Sequence, residues 1–174
     1  SSNTLSGLYI LASVGSITNV DLDNITATGN TQQGVHLYGS GVGGSLSNVT
    51  ANTITTTGNT QRGLYIQGAS SGVVSNMTIQ DVTATGNAAS GFHVHGATTS
   101  NMTGVTLQDI IATGNSQYGG YVQATGNSNV TSVILNAITA TGNTLNGVFV
   151  DDDTTGTYNV DMGGGALGGT GGSS

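Results

Sequence analysis

The chain has 174 residues and a net charge of −7, with eight acidic residues, one basic residue, and no cysteine or proline. A single basic residue excludes a protein that binds nucleic acid through its phosphates, and the lack of cysteine excludes disulfides and thiolate metal sites. No apolar run approaches the roughly 20 residues of a membrane span, so we expect no membrane insertion, and any secretion signal would lie outside this chain.

A unit of about 28 residues repeats along the chain. The string Thr-Gly-Asn recurs with its glycines at Gly29, Gly58, Gly86, Gly114 and Gly142. The asparagine of this string forms a column, extended backwards by Asn3, whose members are Asn3, Asn30, Asn59, Asn87, Asn115 and Asn143. We expect these asparagines to adopt left-handed backbone angles at a corner, with side-chain amides that bond to one another.

The first strand of each unit, such as the segment 34–39, follows a second glycine column, which consists of Gly7, Gly34, Gly63, Gly91, Gly119 and Gly147. Alternate residues of this strand are apolar and predict a buried face. The buried columns are Leu8, Val35, Leu64, Phe92, Gly120 and Val148, and Ile10, Leu37, Ile66, Val94, Val122 and Val150. The residues between them should face outward as an aromatic column: Tyr9, His36, Tyr65, His93, Tyr121 and Phe149.

A second strand region runs from Val105 to Thr113 and is expected to bend near Asp109. Its inward residues should be Val105, Leu107, Ile110 and Ala112, and no segment has the period of a helix. Paired threonines on this strand should form a flat outward face: Thr26, Thr28, Thr55, Thr57, Thr83, Thr85, Thr113, Thr139 and Thr141. Ile111 interrupts one of the two columns.

Repeats that each bury one face and contain no helix predict an all-β solenoid of about six coils over residues 1–162. The repeat also resembles the right-handed parallel β-helix repeats of pectate-lyase-like enzymes, phage tailspikes and bacterial surface adhesins. The resemblance implies that fold and a corner ladder formed by the Asn column, and it carries over no catalytic residue. We expect the Gly/Ser-rich segment 163–174 to pack on a neighbouring subunit.

The candidate reactive groups are few. Arg62 precedes a turn glycine at a variable position and is expected to lie at a solvated corner. Asp81 and Asp109 should lie one coil apart, where a bend is the simpler explanation than a pair of catalytic carboxylates. Asp151, Asp152 and Asp153 are a weak candidate for a calcium site, and the histidines are expected at the surface of the aromatic column. We expect no catalytic residue and no cofactor.

Three surfaces could carry a function other than catalysis. The aromatic column is a candidate contact face for a protein or for sugar rings. The paired threonines resemble the ice-binding face of several β-solenoid antifreeze proteins. Glycans are possible at the Asn-x-Thr sequons of Asn24, Asn48, Asn76, Asn101 and Asn129. The last four share a Ser-Asn-Val/Met-Thr context, which we interpret as a recurring turn motif.

These features predict a non-enzymatic extracellular or cell-surface protein that stacks head to tail with itself into a filament, or that forms part of an adhesin. Neither end shows a capping helix or a charged edge in the sequence, which favours stacking. The alternatives are a solenoid that binds ice or carbohydrate, and a polysaccharide-processing enzyme.

Overall fold

The computed structural model describes residues 2–163 and the backbone of residues 166–167. This part of the chain is all-β and contains no helix. The strands of a first sheet are β1 (Leu8–Ala12), β3 (Val35–Ser40), β5 (Leu64–Ala69), β7 (Phe92–Gly96), β9 (Gly120–Gly126) and β11 (Val148–Thr154). The strands of a second sheet are β2 (Ser16–Thr28), β4 (Ser45–Thr57), β6 (Val73–Thr85), β8 (Asn101–Thr113), β10 (Asn129–Ala140), β12 (Tyr158–Met162) and β13 (Ala166–Leu167).

Each coil contributes one strand to each sheet, and every pairing is parallel. The register places equivalent residues side by side: His36 pairs with Tyr9 of the preceding coil and with Tyr65 of the following coil. The predicted parallel β-solenoid of about six coils, spaced by about 28 residues, is therefore confirmed.

The long strands of the second sheet are bent twice, each time at a residue in the left-handed region. The first bend lies at Asn19, Asn48, Asn76, Gly104 and Ser132, and the second at Asn24, Thr53, Asp81, Asp109 and Ala137. Their φ angles are between 52° and 64°. Short polar residues tolerate this conformation better than bulky ones. The bend expected near Asp109 is confirmed.

The corner at each Thr-Gly-Asn string differs from the expectation in one respect. The positive φ belongs to the glycine, as at Gly58 and Gly86, and not to the asparagine that follows it. Glycine adopts this conformation without a steric cost, so it makes the turn. The asparagine side chain is thereby directed into the solenoid, where Asn59 and Asn87 are almost completely buried.

The second glycine column is required because neighbouring coils approach closely. A Cβ added at Gly91 would lie 2.7 Å from the carbonyl oxygen of Gly119 and 2.8 Å from Nδ2 of Asn115. A side chain at this position would displace both the adjacent strand and the buried asparagine. The two glycine columns therefore serve different purposes, one for the turn and one for the space beside the Asn column.

The interior is filled by the predicted apolar columns of both sheets. Phe92, Ile66 and Val94 of the first sheet are fully buried, as are Leu107 and the other inward residues predicted for β8. The expectation that every member is buried is wrong at the ends. Leu8, Ile10 and Val148 are only half-buried and Val150 is 36% exposed, because a terminal coil has a neighbour on one side only.

A partial further coil begins in the second sheet. Val160 pairs with Val133 and continues the register of Val20, as their similar sequence contexts predict. The backbone of β13 pairs with Thr139 and Ala140 of the same chain. Residue 1, residues 164–165 and residues 168–174 lie outside the described residues, so the expected packing of the tail on a neighbouring subunit stays a prediction.

Candidate functional site

The Asn column runs through the interior as a continuous ladder of hydrogen bonds. Nδ2 of Asn87 donates to Oδ1 of Asn115 at 3.1 Å, and the backbone N–H of Asn87 donates to the same oxygen at 3.0 Å. Nδ2 also donates to the carbonyl of Thr56, one coil away in the opposite direction along the chain. Because each link repeats from Asn3 to Asn143, the ladder ties every coil to the next.

The aromatic column, defined by Tyr9, His36, Tyr65, His93, Tyr121 and Phe149, forms one continuous stack on the outer surface of the first sheet. The distances between successive ring centroids are 5.0, 4.7, 5.1, 4.5 and 5.3 Å. Such distances are typical of stabilising contacts between aromatic rings. A second ring from the next outward position, His95, stacks on His93 at 5.1 Å.

The centre of the aromatic column is not the open surface that the sequence predicts. His93 is only 2% exposed, and His36 and Tyr65 are also buried, whereas Tyr9 at the first coil is 51% exposed. The cover comes from longer side chains on either side of the column. The expected contact face is therefore most open at the first coil, where Tyr9 lies, while Tyr121 and Phe149 are half-buried. His36 and His93 are not surface residues, and His95 is half-buried.

Arg62 supplies much of this cover and does not lie at a solvated corner. Its Nε donates to Nδ1 of His93 at 2.7 Å, and its Cζ lies 4.4 Å from the centroid of the Tyr65 ring. A guanidinium is well suited to this position because it is planar, permanently charged and able to stack on an aromatic face. The sequence signal that we missed is the spacing of three residues between Arg62 and Tyr65.

Tyr118 covers the later coils in the same way. It is the residue equivalent to Arg62 two coils on, and its ring contacts Tyr121 at 5.0 Å and Phe149 at 5.1 Å. Asp151 closes the other side by accepting hydrogen bonds from the hydroxyl of Tyr121 and from Nε2 of Gln123. The rings of the later coils are thus held between two further columns of side chains.

Burial keeps the three histidines neutral at neutral pH. Desolvation lowers the pKa of His36 and of His95 to about 4, with the charge of Arg62 acting in the same direction. The same two causes lower the pKa of His93 well below its usual value. Nε2 of His36 bonds to Gln67 at 3.2 Å, and Nδ1 of His95 bonds to the hydroxyl of Tyr65 at 2.9 Å.

A groove remains over the aromatic column at the first coils. It has a volume of about 390 Å³ and is lined by Leu5, Ser6, Tyr9, Gln32, Gln33, His36 and Gln61. Among the described residues, no charged side chain lines it. Here the position of Arg62 is occupied by Ser6, whose short side chain donates to Oε1 of Gln33 and leaves the Tyr9 ring uncovered.

The Thr face lies on the second sheet with its columns in register. Thr26, Thr55 and Thr83 pair in successive coils, and the residues between the threonines of each pair are buried. The hydroxyls of Thr57 and Thr85 lie 3.3 Å apart. Ile111 interrupts the face and is 47% exposed. The face is solvent-accessible along its length.

The candidate carboxylates lie at the second bend and on β11. Asp81 and Asp109 are exposed neighbours at the second bend, where their backbone conformation accounts for a short polar residue. Asp151 is turned toward Tyr121, while Asp152 and Asp153 are exposed. No group of three His, Cys, Asp or Glu side chains within residues 2–163 is arranged to hold a metal ion.

The sequons fall into different structural positions. Asn48 and Asn76 occupy the first bend, Asn24 occupies the second bend, and Asn101 and Asn129 begin strands β8 and β10. The interpretation of one recurring turn motif is therefore wrong. Asn129 is partly covered, since its Nδ2 donates to Oδ1 of Asn101 and its Oδ1 accepts from the backbone of Thr157.

The two ends of the solenoid expose strand edges that match each other. Leu5 at the first coil and Leu145 at the last are equivalent residues, and they are 62% and 41% exposed. In the coils between them the position holds Gln32, Gln61, Ala89 and Gln117. Among the described coils, leucine therefore occurs in this column only in the first and in the last, a pattern that is visible in the sequence.

The ends also carry charge, contrary to the expectation of an uncharged edge. Six of the eight aspartates lie on the outermost strands: Asp21 and Asp23 on β2, Asp151, Asp152 and Asp153 on β11, and Asp161 on β12. Charged side chains on edge strands oppose uncontrolled pairing. Any pairing between these ends must therefore overcome repulsion between carboxylates.

No protein-family model, curated protein or solved structure matches the chain. The part of the chain that the structure describes contains no helix that is long and apolar enough to cross a bilayer. The two parallel sheets of the solenoid confirm the resemblance to parallel β-helix repeats at the level of the fold.

Proposed function

We propose that this protein is a non-enzymatic structural subunit, extracellular or at a cell surface, that stacks head to tail with copies of itself into a filament. The observation that supports this proposal is the match between the two ends. Among the described residues, one end presents the free edges of β1 and β2, and the other presents the free edge of β11 and the partial coil that begins at β12. All of these strands are parallel, so one end can continue the ladders of the other.

The side chains at the two ends favour the same arrangement. A copy placed on the last coil in register would set Leu8 and Ile10 against the neighbour's Val148 and Val150, continuing both buried columns. These four side chains are half-buried or exposed in the single chain. Their burial in a stack would contribute about 25 cal/mol for each Å² of apolar surface removed from water.

The corner leucines extend this match beyond the strands. In a stack of the same register, Leu145 of one copy would lie beside Leu5 of the next, about 5 Å away at the backbone. The aromatic column would continue in the same way from Phe149 to Tyr9. A second copy of this chain therefore complements each end, and the interface is heterologous and does not close.

The charges on the outermost strands set a condition on this assembly. In register, Asp161 of one copy would lie beside Asp21 of the next, because both belong to the column that contains Thr50 and Thr78. Like charges directly opposite each other destabilise strand pairing. We expect stacking to require salt, since screening shortens the range of this repulsion to about 3 Å near 1 M.

A paired-cysteine experiment tests the proposal directly. Leu5→Cys and Leu145→Cys in one chain are separated by five coils, roughly 24 Å, so they cannot form a bond within a chain. In a head-to-tail stack they lie within bonding distance of the neighbouring copy. After oxidation at high salt, we expect a regular series of covalent oligomers on a denaturing gel.

Two controls limit the interpretation of that experiment. Either cysteine alone should give no product larger than a dimer. Moving the second cysteine to the exposed loop residue Val42, between β3 and β4, should abolish the series, because Val42 would not lie beside Leu5 of the next copy in such a stack. A double-cysteine protein that stays monomeric at high concentration and high salt would refute the filament.

A second candidate function is ice binding by the Thr face. It is favoured by the outward orientation and the register of the threonine columns over five coils. The test is the thermal hysteresis of the protein solution, with Thr83→Lys expected to abolish it and Thr78→Lys, outside the paired columns, expected to leave it intact. The absence of hysteresis would exclude this candidate.

A further inference from the structure

The aromatic column contains the same two-residue unit twice, and only one of the two is complete. Tyr65 and His93 have ring centroids 5.1 Å apart at an angle of 31°, and Tyr9 and His36 have centroids 5.0 Å apart at 33°. In each pair the tyrosine precedes the histidine by one coil. The distance between the ring centroids is therefore nearly the same in the two pairs.

Arg62 completes the Tyr65–His93 pair. Its guanidinium lies over the tyrosine ring, and its Nε donates to Nδ1 of the histidine. Arg62 precedes Tyr65 by three residues, and the residue three before Tyr9 is Ser6. The first pair therefore presents the same rings without the cation that occupies the second.

The histidine of the first pair is oriented for the same contact. Nε2 of His36 bonds to Gln67, so Nδ1 is the nitrogen left for a donor, as in His93. No donor to this Nδ1 occurs in the part of the chain that the structure describes. Burial lowers the pKa of His36 to about 4, so the ring is neutral near pH 7 and its free nitrogen accepts a hydrogen bond.

The groove over this pair has the size and the polarity for a guanidinium. Its volume is about 390 Å³, and amide side chains, including Gln32 and Gln61, line its wall. Amide carbonyls accept hydrogen bonds from the N–H groups that a guanidinium directs outward in its plane. Within residues 2–163 no positively charged residue lines the groove, and the net charge of −7 favours a cationic ligand.

From these observations we propose that the groove over Tyr9 and His36 binds the guanidinium of an arginine side chain supplied by another protein. The guanidinium would stack on Tyr9 and donate to Nδ1 of His36, as Arg62 does on the next pair. The ligand is not a second copy of this chain, because its single basic residue is Arg62, which is already engaged. The proposal does not depend on filament formation.

Repulsion from Arg62 does not prevent this binding. A guanidinium over Tyr9 would lie two coils from Arg62, which is about 10 Å. At physiological ionic strength the Debye length is about 8 Å, so repulsion over this distance is largely screened at a groove open to solvent. The interaction is expected to be weak for a single side chain and to depend on the planar shape of the cation.

The test follows the imidazole signals of the three histidines by NMR, in solution or by magic-angle spinning if the protein is assembled. The probe is N-acetyl-arginine amide, and the matched control is N-acetyl-lysine amide. In the unaltered protein and in Ser6→Ala, we expect a saturable shift of the His36 signals alone. The lysine probe should bind at least about fivefold more weakly, because an ammonium cannot stack and donate in one plane.

Two variants should change probe binding in opposite directions. Ser6→Arg places a guanidinium in the groove from within the chain and should weaken probe binding by at least about tenfold. Arg62→Ser opens the second pair, so the probe should then shift His93 as well as His36. Far-ultraviolet circular dichroism establishes that each variant is folded.

Three outcomes would overturn the proposal. The first is a lack of saturable shift at His36 in the unaltered protein. The second is equal binding of the two probes. The third is a folded Arg62→Ser protein in which His93 does not respond, because the Tyr–His pair would then not be the element that recognises the guanidinium.

Discussion

The ring of Phe92 occupies the space that a side chain at Gly120 would need. The two residues pair in neighbouring strands of the first sheet, and an added Cβ at Gly120 would overlap the ring. Gly120 is the one glycine in an otherwise apolar column, and it lies beside the largest member of that column. Large and small residues thus compensate for each other between adjacent coils.

We predict that Gly120→Val destabilises the solenoid by about 1–3 kcal/mol through overpacking against Phe92. Phe92→Leu creates space and should itself be destabilising. The double variant should recover much of the loss, because Val beside Leu already occurs at Val35 and Leu64. Urea unfolding of the four proteins gives the coupling energy, and purely additive effects would contradict the proposed compensation.

The Asn column gives a second prediction. Asn87→Leu should cost at least about 3 kcal/mol, because it leaves buried donors of Asn59 without an acceptor and places an apolar group on the ladder. Asn127→Leu is the matched control, since Asn127 is exposed and lies outside the column. Thermal unfolding compares the two variants. Equal melting temperatures would show that the ladder contributes little.

The histidines predict how stability depends on pH. His95 has a pKa of about 4 in the folded protein and about 6.5 when unfolded, so the unfolded chain takes up a proton first as pH falls. The contribution of His95 is therefore full above about pH 6.5 and is lost progressively down to about pH 4. In this window His95→Gln should lose less stability than the unaltered protein.

This substitution suits the site because glutamine already occupies the neighbouring positions Gln67 and Gln123. Urea unfolding at several pH values between 4 and 7 measures the effect. A variant whose stability falls as steeply as that of the unaltered protein would show that His95 does not resist protonation in the fold.

The aspartates at the ends make the fourth prediction, which concerns assembly. Asp161→Asn removes one of the charges that would face Asp21 of a neighbouring copy, so we expect stacking at a lower salt concentration. Asp81→Asn removes the same charge within the solenoid and keeps a residue that tolerates the bend. Sedimentation at increasing salt concentrations compares the two. An identical salt dependence would mean that these two aspartates do not meet.

Much of the fold could be predicted from the sequence because the repeat fixes it many times over. An error of one residue in register would move every apolar column to the outside, so the pattern has one consistent solution. Leu37, Ile66 and Val94 illustrate this, since each is buried where the alternation places it. The period determined the pairing of coils without any information about contacts.

The exposure of the aromatic column could not be predicted in the same way. It depends on side chains in neighbouring columns, such as Arg62 and Tyr118, whose identity changes from coil to coil. The period indicates which residues stack but not how far a long side chain reaches across. The left-handed corner was also missed, because Gly58 and Asn59 both tolerate that conformation and only the packing decides between them.

The hydrogen-bond ladder also gives the solenoid a direction. Each asparagine from Asn3 to Asn115 donates toward the coil that follows it in sequence, and none donates to the asparagine of the preceding coil. Because the amides are aligned, the ladder begins with an asparagine that only donates to another asparagine, Asn3, and ends with one that accepts, Asn143. A filament of such subunits would therefore be polar, and it would add subunits at unequal rates at its two ends.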